Sequence, residues 1–470
     1  MLDTNLINEP TAEILAARAR WKKNREILAG EAAVKANARD YLPAYAGQTP
    51  DDYRAFVQRT DFFPAAARTR DGLKGLVTRK APVFDCPDGL KSMFDTITKA
   101  GHTAQDLGEF VFDETLETAF PGMLADFPTP PPAEPGSVAT IGQLEGSNTR
   151  PFVSAYVAES ILEVRTGVYT NVQKLDRVRL LDDENTVREL LLVNGVYQVI
   201  IHRRDEQSGQ WIADAPVTPL RGNKPLDFIP FVLSTPKVRT FKPCKGPLDD
   251  LCDLNVHLFV ASGAAGISRF FSSAPMVYLL GAEADKMVFA PGSLLNFKDH
   301  SRENPIEIDY LEFGGQGQKS LDEHEARLLD KMAKLGSSIL ASERNAAEAA
   351  ETHAIRRSSE NSVLASIARS VSRAVEEILD ICAWWQGQER GSVKFALNTD
   401  FVPQPLSAEE RKALLAEYMA GAISYDTYIA QLIAGEVLPD DFDIEEEQQR
   451  LANDAAAIDR PVETQEPPVA

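Results

Sequence analysis

The sequence predicts an α+β fold, and three observations predict it. Apolar residues recur at helical spacing from Leu248 to Leu258, from Leu321 to Ile339 and from Leu364 to Trp385. Residues 151–231 switch to the two-residue period of strands, centred on an Asn194-Gly195 pair. At 470 residues, 44% hydrophobic and 25% charged, the chain can bury a large core and organise two or three structural units.

The elements follow in chain order. Residues 11–40 are rich in Ala, Arg and Glu and predict helix anchored by Trp21, Ile27 and Leu28, stopped at Tyr41-Leu-Pro43. A second helix is expected from Pro50 to Phe63, with Tyr53, Phe56 and Val57 inward. Residues 63–77 continue helical and locally basic, with Arg68, Arg70, Lys74, Arg79 and Lys80 following the pattern of an anion-contacting face or of a solvated one. Leu107 to Phe120 predicts an amphipathic helix ending at Pro121-Gly122. Residues 128–150 are Pro-, Ser- and Gly-rich, too poor in apolar side chains to fold alone, and are expected to be a disordered insertion.

The strand region carries the strongest local signal. Val187–Val193 and Val196–Ile201 flank Asn194-Gly195, whose residues accept the positive φ angles of a type I′ hairpin. Trp211-Ile-Ala213 and Phe228–Val232 are further short strands, and Ser392–Asn398 is one more near the end of the chain.

Between them lie three long helices. The first is expected from Gly246-Pro247 to Phe271, with Pro at its first position and Asp249, Asp250 and Asp253 at the positive end of its dipole. Its middle, 261–266, holds only small residues, and Gly263, Ala264 and Gly266 would let another backbone approach closely. The second helix is expected to open on a capping box, Ser320 with Glu323, and to bury Leu321, Leu328, Met332, Leu335 and Ile339. The third follows Ser358-Ser359 and alternates spacings of four and three through Leu364, Ala368, Val371, Val375, Ile378, Cys382 and Trp385. That is the seam of one helix along another, and also what an ordinary helical core gives. Past it, Ser407 with Glu410 caps a helix through Leu414, Leu415 and Tyr418. Ser424–Ile433 is a further helix closed by Gly435, an acidic run follows, and 461–470 is expected to be disordered.

Charge and motifs narrow the function. A net charge of −21 argues against a protein that coats nucleic acid with a basic face, though not against a ring that DNA passes through. The first residues lack a basic segment followed by an apolar one, so no signal peptide is expected. The apolar window from Leu254 to Leu280 is interrupted by Asn255, His257, Ser262 and Arg269, so no membrane span is expected. Cys86, Cys244, Cys252 and Cys382 form no C-x-x-C pair and read as reduced thiols of a cytosolic protein. Gly314–Ser320 resembles a phosphate loop only superficially, because Gln318 and Phe313 stand where its two glycines belong. His324-Glu325 lacks the second His of a metalloprotease helix, and there is no Gly-x-Ser-x-Gly elbow. The expectation is therefore no catalytic, cofactor or metal site, with a cytosolic α+β enzyme or adaptor as the alternative.

The order of short motifs carries a resemblance. Tyr41-Leu-Pro43, Arg59–Phe63, Gly72–Val77 with Pro82, Gly122–Asp126, Arg150-Pro-Phe152 and Ile229-Pro-Phe231 are followed by Pro247–Asn255, Pro275-Met-Val277 with Gly281, Met332–Gly336, Ala346–Ala349, Ser362-Val-Leu364 and Leu397–Phe401. In this order, along most of its length, the chain resembles the portal proteins of tailed bacteriophages, in particular a podophage- and siphophage-type portal-like family.

The resemblance implies a ring, usually a dodecamer, at one capsid vertex of the virion, made in the host cytoplasm. Double-stranded DNA would enter and leave through it without sequence preference. Its partners would be other copies of itself, the terminase large subunit, major capsid and scaffolding proteins, and head–tail adaptor proteins, with no membrane. The implied parts are a wing over 1–245, a first stem helix over 246–273, a clip over 274–317 and a second stem helix over 318–340. A tunnel loop over 341–357 comes next, then a long helix and returning strand over 358–404, a helical crown over 405–450 and a tail over 451–470. Glu343, Arg344, Glu348, Glu351, Arg356 and Arg357 would line the DNA channel. Gly263, Ala264 and Gly266 would pack between subunits.

Overall fold

The computed structural model describes residues 6–127, 150–236, 241–273, 276–280, 307–311, 316–340, 362–401 and 406–439, with 442, 444 and 446–450. The fold is mixed α+β, in two compact units. The first comprises Met1–Ala347 and Asn361–Thr399, the second Glu348–Glu360 and Asp400–Ala470. The Pro-rich insertion, 341–357 and the tail 451–470 lie outside the described residues.

The first unit opens with helices. α1 (Ala12–Ala29) ends where Gly30 takes φ +96°, and α2 (Glu31–Ala36) and α3 (Ala38–Tyr41) follow until Pro43 stops the run. The expected anchors Trp21, Ile27 and Leu28 are all buried, and Trp21 donates its Nε1–H to the carbonyl of Thr118 at 2.9 Å. α4 (Pro50–Arg59) has Pro at its first position and a Thr49–Asp52 capping box, and buries Tyr53, Phe56 and Val57 as expected. α5 (Ala65–Val77) carries the basic stretch. β1 (Val83–Asp85), α6 (Lys91–Phe94) and α7 (Ala104–Glu117) come next, α7 held by a Thr103–Asp106 capping box.

Two sheets follow. β2 (Gly122–Asp126) lies between β3 (Phe152–Tyr156) and a later strand. β4 (Ile161–Tyr169), β5 (Val172–Asp183), β6 (Thr186–Val193), β7 (Val196–Arg204) and β8 (Trp211–Ala213) form a five-stranded antiparallel meander in chain order. The β6–β7 hairpin is the one the sequence predicts: Val193 faces Val196, and Asn194 and Gly195 take φ +53° and +78°. β9 (Leu220–Arg221) and β10 (Lys224–Pro225) make a small ladder, and β11 (Phe231–Leu233) completes the sheet of β2 and β3. Gly122 is required in that sheet, because a Cβ there would stand 2.2 Å from Cζ of Phe231.

Then come α8 (Asp249–Ser273), the ladder β12 (Met276–Leu280) with β13 (Glu307–Leu311), α9 (Gln316–Leu340) and α10 (Val363–Trp385). α10 is the centre of the unit: it packs on α7, β2, β3, β11 and β14 (Lys394–Ala396). All seven residues of its expected seam are buried. β14 closes the unit by pairing antiparallel with β1.

The second unit contains α11 (Ala408–Met419) and α12 (Tyr425–Ala434). The Ser407–Glu410 capping box is present in both directions. Tyr418 stacks on Tyr428 with centroids 5.0 Å apart, which joins the two helices.

Candidate functional site

α8 and α9 form the most distinctive feature of the first unit, a pair of long helices joined through a β ladder. The direction of the pair follows from its contacts. Asn255, early in α8, accepts from the N–H of Ala66 at 3.0 Å and donates to the carbonyl of Phe63 at 3.1 Å. Gly336, late in α9, lies against Thr69 of the same helix α5. Arg269, late in α8, pairs with Asp322 at 2.8 Å and Glu325 at 3.3 Å, both early in α9. The two helices are therefore antiparallel, and the chain leaves along α8 and returns along α9.

The seam of α9 is narrow. Leu328, Met332 and Ile339 are buried, Leu321 and Leu335 half-buried, and the far face is exposed. The helix starts at Gln316, so the expected capping box is corrected: Ser320 and Glu323 are interior, exposed helical positions. An extra N-terminal turn is supported by Gln318, which donates to Asp322 at 2.8 Å, the carboxylate that also holds Arg269. Likewise α8 is helical from Asp249, with Gly246-Pro247-Leu248 forming the turn before it, and described helix in α10 opens at Val363 with Ser362 as its cap. The expected start of α10 at Ser358-Ser359 lies outside the described residues.

The acids at the start of α8 are used in packing. Asp249 is buried, accepts the Gly246 N–H at 2.9 Å and the Asn24 amide at 2.6 Å, and pairs with Arg20 at 3.1 Å. Asp250 pairs with Lys245 at 2.6 Å, and Asp253 with Lys23. Among the described residues, no three His, Cys, Asp or Glu side chains are grouped to hold a metal.

The basic face of α5 is likewise engaged. Arg70 pairs with Glu117 at 2.7 Å, Lys74 with Asp113 at 2.6 Å, and Arg68 lies over the ring of Phe63. Arg25 of α1 shares Glu117 with Arg70, at 2.5 Å, and also reaches Glu114 at 2.6 Å and Glu159 at 3.1 Å. This knot ties α1, α5 and α7 together. Burial pushes the Glu114 carboxyl above its ordinary range against the pull of Arg25.

By length and composition, residues 249–270 of α8 are apolar enough to cross a membrane. Its apolar side chains Leu251, Leu258, Phe259 and Ala265 are buried, however, and it packs on α1, α4, α5 and α9, so it serves as a core helix. The four cysteines form no disulfide with one another, and burial pushes Cys252 up to about 12, which keeps it protonated at neutral pH.

The small residues of α8 are used unequally. A Cβ on Gly263 would stand 3.0 Å from Cζ of Phe56 and 3.1 Å from Cδ1 of Leu42 in the same chain. Ala264 is half-buried, and a Cβ on Gly266 would meet nothing within 4 Å. Glu343, Arg344, Glu348, Glu351, Arg356 and Arg357 lie outside the described residues, as does most of the expected clip, of which β12, β13 and the start of α9 are described.

Residues 247–386, from the turn before α8 to the end of α10, match the domain of unknown function DUF4055. No curated protein matches. Among solved structures, the chain is similar to one from the neck of the empty GTA particle computed with C6 symmetry, at 14% identity over 84% of this chain and 96% of that one, with a TM-score of 0.39. It is also similar to one from the neck of the native GTA particle computed with C12 symmetry, at 13% identity over 85% of this chain and 98% of that one, with a TM-score of 0.34.

Proposed function

We propose that this chain is the subunit of a phage-type portal, a ring at one capsid vertex of a virion through which double-stranded DNA is packaged and ejected. The observation that carries the reading is the antiparallel pair α8–α9, which leaves the body, passes through the β12–β13 ladder, and returns to the buried helix α10. That is the order of stem, clip, stem and long helix that the motif resemblance implies. The role is structural, with no catalytic residue and no cofactor. The ring, proposed as a dodecamer, docks the terminase large subunit and head–tail adaptors through the clip, and sits among major capsid and scaffolding proteins.

A chain of net charge −21 suits a conduit that lets phosphates slide without gripping them. Rings are built from heterologous contacts, one face against a different face of the next copy. In this reading Ala264 and the open side of Gly266 contact the neighbouring subunit.

The two glycines separate subunit folding from ring assembly. Gly263→Leu is expected to destabilise the subunit itself by about 1–3 kcal/mol, because Phe56 and Leu42 must move. Gly266→Leu has room within the subunit, so its denaturation midpoint should not fall, while light scattering should show the ring weakened. A Gly266→Leu protein that assembles like the parent removes this residue from the interface.

A further inference from the structure

We infer that the turn before α1, residues 6–9, is a releasable strap, and that the five-stranded sheet carries a socket from which it lifts while the sheet stays folded. The two faces of the meander differ in kind, as the alternation of side chains along each strand allows. One is an apolar core face, where Val178, Leu190 and Val199 stand in register on β5, β6 and β7 and are all buried. On the other, Glu163, Arg179 and Glu189 stand in register on β4, β5 and β6, with Arg177 and His202 beside them. The strap sits on this ionic face.

The socket has an apolar half and a polar half. Ile7 is 3% exposed and packs in one cluster with Leu162, Val187 and Trp211, with Leu181 against them. Arg179 donates from Nη1 to the carbonyl of Leu6 at 3.2 Å and to that of Ile7 at 2.7 Å. Around this one buried side chain the strap faces water: Leu6 is 42% exposed, and Asn8 and Glu9 are exposed. The Glu9 N–H closes the turn onto the carbonyl of Leu6 at 3.1 Å. Pro10 then separates the turn from α1, and the Thr11 N–H is tied to the carbonyl of Leu162 at 2.9 Å. The hinge is thus Glu9-Pro10, between the turn and a fixed helix start.

The ionic face keeps its own pairs without the strap. They run between strands of the sheet: Arg179 to Glu163 at 2.6 Å, Arg177 to Glu189, and His202 to Glu189 at 2.9 Å. Lifting the strap breaks none of them. Arg179 loses two carbonyl acceptors, which water replaces. The closed state carries a cost. His202 stands directly across from Val187 of the Ile7 cluster, and its Nδ1 is buried with no hydrogen-bond partner among the described residues. Ion pairs and bare polar atoms shut away from water are penalised, and opening lets water relieve the penalty. One buried aliphatic side chain set against these costs makes a contact that releases. The inference is independent of the ring reading, since every group in it belongs to one subunit.

The test supplies the strap in trans. A fluorescein-labelled peptide of residues 3–11 is titrated, with anisotropy as the readout, into the full chain and into its full-length Ile7→Ser variant, whose own strap has lost its anchor. Folding is followed by circular dichroism and thermal melting. The variant should keep a cooperative melt and bind the peptide at least about tenfold more tightly than the parent, whose socket is filled. The same peptide carrying Ile7→Ser should bind the variant at least about tenfold more weakly. An Ile7→Ser chain that loses its cooperative melt overturns the inference, because a strap that lifts from a folded sheet cannot be needed to fold it. A peptide that binds neither chain, or both equally, also overturns it, as does a peptide indifferent to its own Ile7→Ser change, since the socket is then not what it recognises.

Discussion

Replacing Arg25 by Ala is expected to lower the stability of the first unit by about 3 kcal/mol, the low end of the loss when one partner of a buried ion pair is removed. The low end applies because the Arg25 side chain keeps 28% of its exposure, whereas that of Glu114 keeps 9%. The substitution strands Glu114 in a site that already disfavours its charge. It also loosens Glu117, which Arg70 still holds, and Glu159. Adding Glu114→Gln should restore part of the loss, since the stranded charge goes with it. The pH dependence follows from the direction of the Glu114 shift. Its folded value lies above the ordinary 4.5, so its contribution to stability is fully present below that value and is lost as pH rises through the raised folded value. Without Arg25 the folded value rises further, and the gap between variant and parent should narrow on acidification. Chemical denaturation at neutral and mildly acidic pH checks both statements. A loss below about 1 kcal/mol, the scale of an exposed pair, would make the knot a surface feature.

Shortening residues 341–357 is expected to leave the ring assembled and to reduce packaged DNA sharply. The sequence of this segment places Glu343, Arg344, Glu348, Glu351, Arg356 and Arg357 among alanines, between two strongly periodic helices. Repeated around a ring, such a segment offers phosphates only weak contacts, screened beyond about 8 Å at physiological salt. The expected result is heads containing the shortened chain with a reduced encapsidated genome length. Full-length genomes in those heads would remove the segment from the mechanism, and loss of the ring would make it structural.

What was legible in the sequence was local. The Asn194-Gly195 hairpin, the Ser407–Glu410 capping box and the four-three seam of α10 are each specified by residues close in the chain, and each is present. The start of α9 was misread for a local reason too: Ser320 and Glu323 match a capping box, but the Gln318–Asp322–Arg269 contacts extend the helix one turn earlier, and Arg269 belongs to a different helix. Tertiary uses of residues were not legible. Nothing near Gly263 announces Phe56, nothing near β1 announces β14, and the basic residues of α5 gave no sign that the acids of α7 would pair with them. Of the candidate site, the helix pair was readable from its period. Its direction needed Asn255, Gly336 and Arg269, three positions whose partners lie far off in sequence.

The central claim is that copies of this chain close into a ring around a channel. The most direct measurement is a negative-stain electron micrograph of the purified full-length protein, with class averages viewed down the particle axis. The account predicts rings of uniform diameter with a central hole, each subunit contributing one radial lobe. Compact particles of monomer size at every concentration tested, with no central hole, would contradict it.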